Sequence, residues 1–377
     1  MDFSLSPSEQ KTIDKAKSDA PKLLGAGPAG QHEAVDFLSW AQYGWAGATI
    51  ARNQGGMGLT ALSTFLAFEQ LGREGLSRSH MFSVGAHLFG CAMAIQNHGT
   101  EDQKSTYLQK LASGKMIGAL ALTGESGGSS SQNLGVNCGF KSDMVTLNGT
   151  KKLVTNGPAA DVLIVSAQET SSSSGLGSTL FVVPTGHPGI EIEQIQDQAG
   201  IKDSPMANIT FENYQVSKSA ILGSKGGGLG LTLSIMRWER SLILAGFLGA
   251  AQRDLNRVFG EFKSRTDNNG ALIKHQGIGF KLAECYRQLE TARWLAYRCA
   301  ADLDMDEAPI LSPALSKLTI SQTIVDVALT LNELMAGQAW QGKLGLAEAL
   351  QDVLGTLSAS GTSNIQLNAI LSQMGRA

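Results

Sequence analysis

The sequence predicts an α+β fold in which a β block is inserted between two helical regions, on three observations. Apolar residues recur at helical spacing over 1–114, short β-type runs replace them over 115–225, and long helical periodicity returns over 226–377. A chain of 377 residues has room for two or three structural units around a large core.

In the first region, Ser63–Arg73 and Thr106–Leu111 set apolar residues on one helical face, with Gly and Ser between segments. In the second, six runs read as strands: Met144–Leu147, Leu153–Thr155, Val162–Ser166, Thr179–Pro184, Ile190–Glu193 and Ile209–Phe211. Asn148-Gly149 predicts a hairpin, because both central residues of a type I′ turn need positive φ. Thr170–Ser178, mostly Ser and Gly, predicts a flexible loop, and the block as a whole a small antiparallel β domain or barrel. In the third region, periodic segments cover 229–262, 274–303, 313–339 and 344–357.

A formal charge of −3 provides no basic field for a phosphate backbone, so nucleic acid is not an expected partner. No apolar run approaches the ~20 residues that span a bilayer. The longest, Ser241 to Ala251, is broken by Gly246 and Gly249, so no membrane association is expected. The start, MDFSLSPSEQK, lacks the basic-then-apolar order of a signal peptide. Cys91, Cys138, Cys285 and Cys299 form no CxxC pair, which predicts buried free thiols in a reducing, cytoplasmic setting. The histidines never fall at HxxxH or HExxH spacing, so no metal site is expected.

Gly25–Gly30 spells GxGxxG, but the dinucleotide fingerprint needs a buried strand before it and an acidic residue ~20 positions on. KSDAPKLL precedes it here, charged and containing proline, so an interhelical loop is expected instead. Lys225–Gly230 lacks GK[ST] and predicts a hinge into the next helix.

Several motifs fall in order along the chain. Ala121–Ser130 (ALTGESGGSS) resembles the ALTEPxAGSD segment of acyl-CoA dehydrogenases, and Asn148–Gly157 (NGTKKLVTNG) their NGxKxxITNG element. Trp238-Glu239-Arg240 resembles the opening of the family's "ER" helix, and Arg265 with Gln276 its RxxFG…Q spacing. Ser360–Gln366 (SGTSNIQ) resembles EGTxxIQ, and Glu333–Gly337 stands 27 positions upstream, where the family has QxxGG.

The resemblance covers essentially the whole chain. It implies an acyl-CoA dehydrogenase fold, with an N-terminal helical domain, a middle β-barrel and a C-terminal four-helix bundle, and FAD between barrel and bundle in a homotetramer or homodimer. Leu122, Thr123, Gly128 and Ser129 would line the isoalloxazine, and Thr155 would hydrogen-bond near N5. Leu153 occupies the position of the usual stacking aromatic. Arg265 and Gly337, with Gln276 close by, would meet the pyrophosphate and adenosine half from a neighbouring subunit; Thr362 and Asn364 would meet it from the same subunit. Ser129, Arg240 and Ser360 would border the substrate, an acyl-CoA or acyl-carrier thioester.

Family members pass a hydride from Cβ to flavin N5 while a carboxylate takes the Cα proton. Many carry that carboxylate in EGT, where this chain has Ser360; a subset carries it on the "ER" helix, where this chain has Glu239. The residues alone favour the second site. Ile235, Met236, Leu242 and Ile243 lie three or four positions from Glu239, so a helix sets the carboxylate in an apolar stripe, where desolvation raises its pKa. The alternative is a half-buried Glu239 paired with Arg237 or Arg240.

The departures (Gly124 and Glu125 in TEP, Ser130 in GSD, Leu153, Asn268 and Asn269 in RxxFG, Glu333 and Ala336 in QxxGG) each remove a contact that ordinarily holds or shields FAD. Three readings follow. The first is a dehydrogenase that hands electrons to an electron-transfer flavoprotein. The second is an O2-using oxidase or monooxygenase of the same fold in a specialised biosynthetic pathway, and the third a flavin-free scaffold paralogue.

Overall fold

The computed structural model describes residues 4–24, 34–128, 134–170, 177–268, 270–305 and 310–374. Gly25–Gly30 and most of the Thr170–Ser178 segment lie outside the described residues.

The first region folds into α1 (Pro7–Leu24), α2 (Phe37–Gln42), α3 (Ala61–Glu74), α4 (Arg78–Gly85), α5 (Met93–His98) and α6 (Glu101–Ala112). The Thr60 hydroxyl caps α3, which stops at Gly75 in the left-handed region; a Thr100/Gln103 capping box opens α6. Between α4 and α5 the backbone widens into a π-helix over Ala86–Ala92. Such segments are rare in α-helices and often sit at functional sites.

The middle region forms β1 (Gly118–Ala121), β2 (Val136–Lys141), β3 (Met144–Thr155), β4 (Val162–Glu169), β5 (Ser178–Pro184), β6 (Ile190–Gln194), β7 (Met206–Ser217) and β8 (Ile221–Leu222). They make one sheet in the order β6-β7-β3-β2-β4-β5-β8; β4 runs parallel to both β1 and β2, so the sheet is mixed rather than antiparallel as expected. Inward residues of six strands, from Ala119 through Leu147, Val165 and Phe181 to Val216, close on a single core, with Ile190 and Ile192 of β6 packed against it. The sheet therefore curls as a barrel does, although its ladder stays open between β6 and β8. The opposite face of β4, β5 and β8 (Val162, Ile164, Leu180, Val182, Leu222) joins the core of the helical regions.

Asn148-Gly149 makes no hairpin turn. It lies inside the continuous strand β3, opposite a bulge in β7, where Asn148 Oδ1 accepts from Asn213 N at 2.7 Å and Asn213 takes φ 49. Gly149 is required because a Cβ there would lie 2.1 Å from the Gly135 carbonyl oxygen. The β2–β3 hairpin turns at Ser142-Asp143, with Lys141 facing Met144.

The third region comprises α7 (Gly228–Leu242), α8 (Ala245–Ser264), a short β9–β10 hairpin (Thr266–Asp267, Gly270–Ala271), α9 (Gln276–Asp304), α10 (Leu311–Met335), α11 (Gly337–Trp340), α12 (Leu346–Leu354) and α13 (Ser363–Met374). Of the glycine-rich run 225–230, residues 228–230 already form the first turn of α7 and Gly227 stands at its N-cap position. The segment 229–262 breaks at Ile243–Leu244, and 313–339 breaks at Ala336, φ 49. The first break frees α8 to press against α3: a Cβ on Gly249 would sit 1.9 Å from the Glu69 carbonyl oxygen, and one on Gly72 2.1 Å from that of Gly246. By length and composition α10 could cross a bilayer, but 61% of its most apolar window is buried, packed against α7, α8, α9, α12 and α13. All four cysteines are buried free thiols.

Candidate active site

Trp238-Glu239-Arg240 lies in the last turns of α7 rather than opening it, because the helix starts ten residues earlier, at Gly228. The apolar stripe forms as the periodicity requires: Ile235, Met236, Leu242 and Ile243 are all buried. Glu239 itself is half-buried, with its carboxylate aimed at the π-helix and β1. Its Oε2 would meet a Cβ on Gly90 at 3.3 Å, and the same Cβ would meet Leu120 Cβ at 3.1 Å. Glycine at this point of the π-helix leaves the carboxylate its space.

On its other side, the Ser360 hydroxyl donates to Glu239 Oε1 at 2.5 Å. Desolvation pushes the Glu239 pKa up, while the Ser360 hydrogen bond and the Arg240 charge work against that rise. Arg240 donates its Nε to the Ser360 carbonyl at 3.0 Å, and among the described residues no ion pair joins Glu239 to Arg237 or Arg240. The carboxylate is therefore desolvated, oriented and unpaired, the condition in which it can take up a proton.

A second group gathers at the rim of the sheet. Lys152 N donates to the Thr123 carbonyl at 2.9 Å, which ties β3 to the segment after β1 and brings Leu122 and Thr123 beside Leu153 and Thr155. Leu153 has φ 56 and is 61% exposed, an apolar side chain turned outward at this rim. Gly128 also lies here, with Thr123 Oγ1 3.2 Å from where its Cβ would be. Ser129 lies outside the described residues.

Beneath the rim is fully buried Lys151, whose ammonium donates to Leu122 O and Ser166 Oγ, each at 2.9 Å, and to Leu134 O. Burial lowers its pKa to about 7. The motif containing Lys151 is visible in the sequence, but a lysine on a strand reads as solvent-facing. Only the inward register of β3 reveals its position.

The third group is Arg265, Gln276 and Gly337. Arg265 Nη1 donates to Gln338 Oε1 at 3.2 Å and lies 5.7 Å from the Phe262 ring, so the start of α11 and the end of α8 do meet. Gln276 begins α9 and is exposed, as is Gly337, with nothing within 4 Å of a Cβ there. Among the described residues no hydrogen bond or ion pair links this group to Glu239. Thr362 is half-buried on the turn after Ser360, and Asn364 is exposed in the first turn of α13.

This donor set suits FAD: Leu122 and Leu153 offer an apolar floor, Thr123 and Thr155 hydroxyls for the polar edge of the ring, and Arg265 a cation for the diphosphate. Fold and site together define a flavin-dependent oxidoreductase acting on thioesters. The chain belongs to the acyl-CoA dehydrogenase family. Residues 29–115, 119–214 and 226–375 match that family's N-terminal, middle and C-terminal domains in turn.

It is 30% identical to an L-prolyl-[peptidyl-carrier protein] dehydrogenase of Pseudomonas fluorescens, an alignment covering 99% of this chain and 100% of the relative. Two solved structures are similar along their whole length: PigA with FAD and proline (28% identity, TM-score 0.94, 100% of each chain), and the prolyl acyl carrier protein oxidase AnaB (27% identity, TM-score 0.94, 99% and 100%).

Proposed function

We propose that this protein oxidises an L-prolyl thioester carried on a peptidyl carrier protein, with Glu239 as the base that removes the Cα proton. The observation that carries the chemistry is the Glu239 carboxylate, raised in pKa, unpaired and oriented by Ser360. The acyl group is inferred from relatives: the prolyl carrier-protein enzyme aligns end to end with this chain. An isovaleryl-CoA dehydrogenase of Arabidopsis thaliana, at 31% identity, aligns with 85% of it.

In this reading Glu239 takes the proton from Cα, while Gly90 and Leu120 keep the space beside the carboxylate narrow and apolar. Bound FAD would supply the acceptor for the hydride leaving Cβ, so that a Cα=Cβ double bond forms. Arg240, fixed by the Ser360 carbonyl, steadies the thioester or pantetheine region. Thr362 and Asn364 serve the cofactor of the same copy. Arg265, Gln276 and Gly337 serve that of a neighbouring copy in a homotetramer or homodimer. Two facts support this division: among the described residues no hydrogen bond or ion pair links Arg265, Gln276 or Gly337 to Glu239, and Trp340 (88% exposed) and Phe280 (67%) stand uncovered on the same helices, α11 and α9.

The deciding experiment is anaerobic mixing of the yellow holoenzyme with L-prolyl, butyryl and isovaleryl thioesters, followed by flavin bleaching. The prolyl thioester should bleach wild type rapidly, and Glu239→Gln should retain FAD but bleach about 10²–10⁴-fold more slowly. Near-normal bleaching by Glu239→Gln would sink the base assignment; bleaching by the CoA esters alone would sink the prolyl assignment.

A second reading concerns only the electron acceptor. Leu153, exposed where the family stacks an aromatic ring, leaves that flank of the cofactor site less covered, which favours O2 over an electron-transfer flavoprotein. Rapid reoxidation in air would support O2; a reduced flavin stable until the flavoprotein is added would exclude it. The flavin-free scaffold reading finds no support in a family of FAD oxidoreductases or in the intact Glu239 site.

A further inference from the structure

Ser360 takes φ 55 and Gly361 φ 97, so two successive residues of the turn before α13 are left-handed. For serine that conformation is strained and persists only where surrounding contacts impose it. Three side chains from three helices do so. Arg240 of α7 donates Nε to the Ser360 carbonyl at 3.0 Å. Gln366 of α13, fully buried, donates Nε2 to the Ser360 and Gly361 carbonyls at 3.3 and 3.0 Å. Lys317 of α10, also fully buried, donates Nζ to the Gly361 carbonyl at 2.7 Å. A turn held from three sides sends its one hydroxyl to Glu239 Oε1.

We propose that Ser360 is a positioning residue for Glu239: its hydroxyl fixes the carboxylate in place and favours its charged form, and Lys317, Gln366 and Arg240 hold the turn that presents it. The inference rests on Glu239 being the base. A charged carboxylate oxygen is a stronger acceptor than the carbonyl oxygen of the neutral acid, so a donated hydroxyl favours the ionised state. The other groups facing Glu239 are Arg240 on its own helix, with Lys317 beyond it on α10; the π-helix and β1 meet it with Gly90 and Leu120. Farther along α7, α9 places Cys299 on Ser241 and α5 places His98 on Ser234, away from the carboxylate. Desolvation holds Lys317 down to about 8, so it remains largely charged at neutral pH.

The test compares holoenzymes of wild type, Ser360→Ala, Ser360→Gly and Lys317→Met, bleached anaerobically by the N-acetylcysteamine thioester of L-proline across pH. Both Ser360 variants should move the acid limb of the bleaching rate up by about one pH unit, a tenfold loss well below the midpoint, with FAD content unchanged. Lys317→Met should move it the same way by a smaller step. Infrared difference spectra give a readout independent of turnover: the protonated-carboxyl band missing from Glu239→Gln should titrate about one unit higher in Ser360→Ala.

Slower bleaching or weaker heat resistance with an unmoved acid limb and band would reduce Ser360 to a structural role and overturn the proposal. A Ser360→Gly enzyme that matches wild type while Ser360→Ala does not would assign the effect to backbone strain and overturn it too. If Glu239→Gln still bleaches normally, the base reading fails instead. The two failures are distinguishable, because the infrared band reports the Ser360–Glu239 contact whether or not Glu239 is the base.

Discussion

Replacing Lys151 by Met should loosen FAD far more than it loosens the fold. The substitution keeps side-chain length and removes three hydrogen bonds, leaving the Leu122 and Leu134 carbonyls and the Ser166 hydroxyl without that partner. Hydrogen bonds from a charged donor are worth about 1.5–3 kcal/mol each, about 6 kcal/mol for the three, although the Ser166 hydroxyl still donates to the Leu122 carbonyl at 3.4 Å. Against this stands the cost of burying the ammonium. Lowering a lysine from 10.5 to about 7 corresponds to about 5 kcal/mol. The terms nearly cancel, so Tm should move by a few degrees at pH 6. The Leu122–Thr123 segment, however, loses the tether beneath it, and FAD should bind about 10–100-fold more weakly, about 1.4–2.8 kcal/mol.

The same substitution carries a pH signature. Because folding lowers the Lys151 pKa, the unfolded chain binds the extra proton between about 7 and 10.5. Wild-type stability relative to Lys151→Met should therefore rise with pH across that window. Titration of apoprotein with FAD and thermal melts at several pH values measure both. An unchanged FAD dissociation constant would refute Leu122–Thr123 as part of the cofactor cradle, and parallel melting curves would refute the burial cost.

Gly90→Ala should slow flavin bleaching about tenfold with FAD content unchanged. Its methyl would press on Glu239 Oε2 and Leu120 at 3.3 and 3.1 Å, and a shift of 1 Å at a reacting group costs ~10²-fold. Wild-type bleaching rates in stopped-flow would mean that Glu239 reacts from another position. Glu239→Gln should also be more heat-stable than wild type at neutral pH. Folding raises the Glu239 pKa above 4.5, so its contribution is greatest when protonated and is lost as pH rises through the folded value. Melting curves from pH 4 to 8 should show the variant gaining on wild type over that interval; a constant gap would contradict the raised pKa.

Much of this was legible in the sequence, because the information was local. The switch from helical to strand periodicity near residue 115 and back near 226, the apolar stripe around Glu239 and the motif order need only neighbours along the chain. What failed depends on distant residues. Asn148-Gly149 suits a hairpin turn equally well as a bulge-facing strand position, and the choice is made by Gly135 and Asn213. The break after Leu242 serves glycine contacts between α8 and α3. Lys151 and Lys317 look like surface charges until their carbonyl partners are known. Ser360 reads as the mere loss of a glutamate; its hydrogen bond to Glu239 is seen only in the fold.

If Glu239 is the base, as proposed, that hydrogen bond also bears on where in this fold a catalytic carboxylate can be placed. Glu239 comes from the end of α7 and Ser360 from the turn before α13, 121 residues apart, yet Oγ and Oε1 are 2.5 Å apart. A carboxylate from either element thus reaches the same small volume beside Gly90 and Leu120. Carboxylates from both at once would lie within hydrogen-bond distance, and like charges that close cannot both ionise, so one would hold a proton and be lost as a base. A base on α7 is therefore served best by a neutral donor in the turn. Serine meets that need: it carries a proton to give and is held in its left-handed backbone by Lys317, Gln366 and Arg240. On the proposed reading, Glu239 and Ser360 act together, because one hydrogen bond joins them across 121 residues of chain.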